Sequence, residues 1–149
     1  MQKMSLWGLW VLVPAILAIS VYQPLSGHWV AFFLLWPGFP SMEQLGGLLA
    51  ALASVHRVLG FVTGALSVPI LAFGFFSGPS RWVRVFAVVG FVMVFITVLG
   101  GYIYVTSVFK DRWSLGQMAD ASVGVFGAYF LQLIFMARGP QFPWSRSHA

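Results

Sequence analysis

The stretch Ala53-Ser54-Val55-His56-Arg57-Val58-Leu59-Gly60-Phe61-Val62-Thr63-Gly64 decides how this chain is read. It lies inside an apolar run that extends from about Leu45 to Phe76. A run that long suits a helix crossing hydrocarbon, where ionisable residues are costly and mark a partner or a task. His56 and Arg57 stand in the middle of it, and His56 is the single histidine of the apolar part of the chain.

The whole sequence obeys the same solvent. Of its 149 residues, 60% are hydrophobic and 7% charged. Soluble domains carry about 25% charged residues. So few polar groups cannot clothe a water-facing surface, so the bilayer acts as solvent. Outward from the central run, three more apolar segments emerge, at about 6–22, 83–108 and 115–137. Unpaired backbone is not tolerated in lipid and four segments cannot close a barrel, so all four are helices. The expectation is an all-α, polytopic membrane protein, a bundle of four transmembrane helices forming a single domain over 1–149, with spans near 6–22, 45–76, 83–108 and 115–137.

Local signals mark the boundaries. Ser41 with Gln44 reads as a capping box, as does Ser114 with Gln117. Ser77-Gly78-Pro79-Ser80 is a turn cluster between spans two and three. Pro14 predicts a kink in the first span. The segment from Gln23 to Pro40 is apolar but interrupted by Pro24, Pro37 and Pro40. It reads as an interfacial or re-entrant cap, or as a short amphipathic connector. The second span is long for one crossing: a helix from Met42 to Phe76 would measure about 50 Å. Its first turns project beyond the membrane, Pro69 kinks it, or its start lies at the interface.

The net charge is +5. The cations sit mostly at span ends and form no contiguous basic patch, which argues against nucleic acid as a partner. They set topology instead. With the N-terminus inside, Lys3, Arg81, Arg84, Arg138 and Arg146 are cytoplasmic, and Lys110 and Arg112 are outside. Both termini are expected in the cytoplasm, with the chain in the cell membrane and lipid around it. Cysteine is absent, which excludes disulfides and thiolate metal sites. The Met1-Gln2-Lys3 start leads into a run that lacks a small-residue cleavage site, and it reads as a retained span.

On a helix, Gly60, Thr63, Gly64 and Ser67 fall on the face of His56. Gly60 and Gly64 form a G-x-x-x-G, which permits close approach. Two readings stay open. His56 hydrogen-bonds a neighbouring helix in a tight packing face, or it ligates a haem iron above a strip of small residues. Arg57 snorkels to the interface, or it meets an anionic group such as a haem propionate. Asp120, about two turns into the fourth span, is the second ionisable residue at membrane depth, and an Arg57–Asp120 ion pair is expected. Ser122, Gly124, Gly100, Gly101, Tyr102 and Tyr104 are candidate walls of a shared cavity.

The 53–64 stretch resembles the second span of the heme A synthase family, in which a His-Arg pair opens the haem-ligating helix. Leu99-Gly100-Gly101-Tyr102-Ile103 is similar to the end of that family's third span, and Met118-Ala119-Asp120-Ala121-Ser122-Val123-Gly124 to the start of its fourth. Trp36-Pro37-Gly38-Phe39-Pro40 is similar to its outer loop. The likeness covers one four-helix half of a protein that is usually an eight-helix tandem repeat. It implies haem b held by His56 as axial ligand, Arg57 on a propionate, Gly60, Gly64 and Ser122 beside the macrocycle, and oxidation of a haem O methyl group. Two features depart from the pattern. Ala53 stands where the family has a glutamate, and Ser122 falls near the place of its second haem-ligating histidine. Asp120 is the candidate substitute for the carboxylate, and His28 is a further candidate ligand. Three functions follow: a haem O oxidising oxidoreductase; a non-catalytic b-type haem or quinone-associated small subunit or assembly factor of a respiratory complex; or a cofactor-free membrane subunit. The first two allow a homodimer or a respiratory partner.

Overall fold

The computed structural model describes residues 2–35, 42–106 and 112–138. They form four helices: α1 (Gln2–Leu35), α2 (Met42–Ser77), α3 (Arg81–Thr106) and α4 (Arg112–Ala137). No strand occurs among the described residues. Each helix contains a window long and apolar enough to cross a membrane: Leu6–Gln23, Ser54–Phe76, Arg81–Tyr104 and Gly116–Ala137. The expected all-α, four-span fold is therefore what the chain adopts.

The helices stand in a ring. α1 packs on α2, α2 on α3, α3 on α4 and α4 on α1. The diagonal pairs α1/α3 and α2/α4 have no close backbone approach among the described residues. At most a third of any apolar window is buried inside the chain. The remainder, including Val58, Phe61, Val68, Phe95 and Phe126, faces outward. In water such a surface would drive aggregation, whereas hydrocarbon solvates it.

The inner packing follows helical spacing. Leu9, Val13 and Ile16 of α1 share one buried cluster with Ile70, Val83, Val94, Val125, Tyr129 and Met136. Association in lipid depends on close packing rather than on escape from water. Gly90 shows how that is reached: the hydroxyl end of the Tyr129 ring lies where a Cβ on Gly90 would be, at 2.7 Å. Toward the end joined by residues 36–41, the buried positions become polar: Ser20, Gln23, Thr63 and Ser67. Hydroxyls at membrane depth turn back onto their own helix. Ser20 donates to the Ile16 carbonyl at 2.7 Å and Ser67 to that of Gly64 at 2.7 Å. This back-bonding satisfies a hydroxyl without a second helix.

Three boundary expectations need correction. Gln23–Pro40 reads from sequence as an interfacial or re-entrant cap or a short amphipathic connector, whereas in its described part α1 continues through Pro24 to Leu35. A proline removes one N–H and crowds one carbonyl, and the flanking turns of a membrane helix absorb this. α4 starts at Arg112, ahead of the Ser114 capping box. α3 starts at Arg81 rather than Val83, because Ser80 caps it: the Val83 amide donates to Ser80 Oγ at 3.3 Å. α2 is one helix from Met42 through Pro69. Its apolar window opens at Ser54, about twelve residues in. α1 likewise extends about twelve residues past Gln23.

Candidate functional site

His56 lies on α2 at the edge of its apolar window, half-buried against α1. The residue that meets it is Gln23, the last residue of the apolar window of α1. The His56 imidazole donates to the Gln23 backbone carbonyl. The Gln23 side chain turns to α2 as well. Its Nε2 lies 3.3 Å from the place of a Cβ on Gly60, so the glycine makes room for the amide. Its Oε1 lies 3.4 Å from Thr63 Oγ1. The single Thr63 proton goes to the Leu59 carbonyl at the shorter distance of 2.8 Å. A half-turn of the Gln23 amide would let its NH2 donate to Thr63 Oγ1, which satisfies both groups at once. Gln23 thus joins His56, Gly60 and Thr63 across the α1/α2 seam.

The other expected site residues do not gather here. Gly64 shares the His56 face, and no atom of the described residues lies within 4 Å of a Cβ position there, so among them the strip opens at Gly64. Arg57 is exposed on α2 and Asp120 is exposed on α4. These helices are diagonal, and the expected ion pair between the two is not formed. Ser122 donates to the Met118 carbonyl of its own helix at 2.7 Å. Of the candidate cavity walls, Tyr104 is buried and Tyr102 exposed. His28 lies on α1, but its side chain, like that of Ala53, is outside the described residues, as is all of Trp36–Pro40.

The donor chemistry narrows the possible cofactors. Among the described residues, no three His, Cys, Asp or Glu side chains come together, so no closed zinc or di-iron site is built there. A haem needs only one strong protein ligand. Metal-ligating histidines characteristically donate their other N–H to a carbonyl, which fixes the tautomer and the ring plane. His56 has that arrangement with Gln23. The donor therefore suits a haem held by a single histidine. A second histidine and a carboxylate for oxidation chemistry are not assembled around it in the described residues.

Two polar residues that the sequence reading passed over lie in the opposite half. Tyr129 and Gln132 are fully buried on α4. The Tyr129 hydroxyl and both ends of the Gln132 amide find no hydrogen-bond partner among the described residues. Glutamine at position 132, five residues before the end of an apolar span, was the available signal.

Compared with protein-family models, with curated proteins and with solved structures, the chain matches none. The likeness to heme A synthases therefore rests on the quoted residues alone.

Proposed function

We propose that this protein is a haem-binding membrane protein that holds haem b through His56 at the α1/α2 seam. The observation that carries the reading is the half-buried place of His56 on α2 beside the Gln23 backbone of α1, with Gly60 and Thr63 following on the same face. The open strip at Gly64 gives a flat macrocycle a place beside the helix. Exposed Arg57, next in sequence, supplies a guanidinium for a propionate. Under the charge distribution of the chain, this site lies in the outer half of the cell membrane and both termini face the cytoplasm.

The binding module is favoured over a half-length haem O oxidising enzyme. Asp120, the candidate substitute for the catalytic carboxylate, and Ser122, at the place of the second haem-ligating histidine, lie on the diagonal helix. A second copy of the chain, or a subunit of a respiratory complex, would be the source of any further axial ligand. One observation favours a second reading, in which no cofactor is bound. The Gln23 amide already fills the Gly60 end of the strip and ties α1 to α2.

The absorption spectrum separates these readings. Protein purified from haem-replete cells is expected to show a Soret band, and His56→Ala should remove it with helix content unchanged by circular dichroism. A wild type without the band, or a His56→Ala variant that keeps it, overturns the haem reading. Haem A recovered from cells that also make haem O would select the enzyme instead.

A further inference from the structure

The end of the bundle away from His56 carries charge of one sign. Arg81 opens α3, Arg84 follows one turn later, and Arg138 follows the last residue of α4. All three are exposed. α3 and α4 pack side by side, which brings these cations to one end of one seam. The three carboxylate side chains of the sequence are Glu43, Asp111 and Asp120; of the two on described helices, Glu43 is at the start of α2 and Asp120 in the third turn of α4, both toward the opposite end. Nothing acidic occupies the first turn of α3. Two arginines there face the positive end of the helix dipole, an arrangement that favours an anion from outside the chain.

The seam beneath the cations is aromatic. Trp82, Phe86 and Phe135 stack on one another, with ring centroids 5.6 to 6.2 Å apart. The Arg81 guanidinium lies 5.1 Å from the centre of the Trp82 ring. The Arg84 stem crosses Gly78, with Cγ 3.3 Å from a Cβ position there. The Arg81 guanidinium thus rests over Trp82 and the Arg84 stem against the interhelical turn, and Trp82 itself stays 43% exposed. Tryptophan at such a height is a membrane-interface residue. The surface is cationic above and apolar below, and it continues into the lipid-facing side chains Val85 and Val88.

We propose that the α3/α4 end binds an anionic phospholipid, with Arg81, Arg84 and Arg138 on its phosphate and the Trp82–Phe86–Phe135 stack beside its glycerol and upper acyl chain. A guanidinium suits a phosphate in geometry and in charge. The aromatic seam distinguishes a lipid from a free anion, because it has surface to cover only if the phosphate carries hydrocarbon.

Native mass spectrometry of the full chain in detergent, titrated with phosphatidylglycerol and phosphatidylcholine of equal chain length, tests this. Each cation near a charged headgroup is worth about fivefold in affinity, so the anionic lipid should bind at least about tenfold more tightly. The Arg84→Gln/Arg138→Gln variant, which keeps Arg81, should lower the preference to about fivefold. Arg84→Gln alone, a single change at an exposed site, should give an intermediate preference. Lys110→Gln/Arg112→Gln, which removes the same charge at the other end, should keep the full preference. Equal binding by the wild type overturns the proposal. So does equal loss in the Lys110/Arg112 variant, which would show a net-charge effect. Displacement of the lipid by millimolar inorganic phosphate would mark the site as one for free anions and overturn it too.

Discussion

Gln132 carries a buried amide beside Gly74, and neither end of it has a hydrogen-bond partner among the described residues. A buried polar group without a partner costs about 1–3 kcal/mol. Gln132→Leu keeps the volume and removes the unpaired groups, so it should raise the midpoint of thermal unfolding in detergent, with a gain in that range. A lower midpoint would show that Gln132 has a partner in the membrane. Asp120 makes the opposite case. It is exposed and has no ion pair with Arg57, so Asp120→Asn should leave folded yield by size exclusion unchanged. A large loss of yield would reveal a partner outside the described residues. His56 lies between these extremes: half-buried, hydrogen-bonded and anchored to another helix.

At the scale of the helix, glycines divide by what lies opposite them. Gly90 faces the Tyr129 ring at 2.7 Å, and Gly64 faces open space. Gly90→Ala forces α3 from α4 or moves the ring, a cost of about 1–3 kcal/mol. Gly64→Ala meets nothing and gains about 0.5–1 kcal/mol of helix preference. Unfolding midpoints of the two variants should therefore move in opposite directions, and a common direction would contradict the packing described. The four spans were legible because hydrocarbon length and hydropathy act locally: the 115–137 expectation and the observed window Gly116–Ala137 differ by one residue at the start. The turn at Gly78-Pro79 was legible for the same reason. The helix beyond Pro24 was not, because breaking signals learned from water overstate the cost of proline where the backbone has no alternative partner. The site was half legible. An ionisable His56 in an apolar run announces itself, but its partner depends on how α1 lies against α2. Gln23 stands 33 positions away with no pattern linking the two. The Arg57–Asp120 expectation failed for the same reason. Shared depth brings two residues level, and only the order of helices around the ring makes them neighbours.

For the whole molecule, that order fixes which ends meet. Four antiparallel helices place the start of α1, the α2–α3 turn and the end of α4 at one end, with the end of α1, the start of α2, the end of α3 and the start of α4 at the other. By sequence the cations are divided unevenly among the segments flanking the helices, and the positive-inside tendency predicts that the richer set faces the cytoplasm. Because the chain has no cysteine, each surface can be probed by a single introduced thiol without background. In intact cells, Gln2→Cys and Ser80→Cys should resist a membrane-impermeant maleimide and react only after lysis. Trp113→Cys, exposed near the start of α4, should react before lysis. The reverse pattern would invert the protein and move His56 to the cytoplasmic half while leaving the bundle intact. Labelling of Gln2 and Ser80 from different sides would break the even number of crossings, and with it the ring of helices that sets Gln23 against His56.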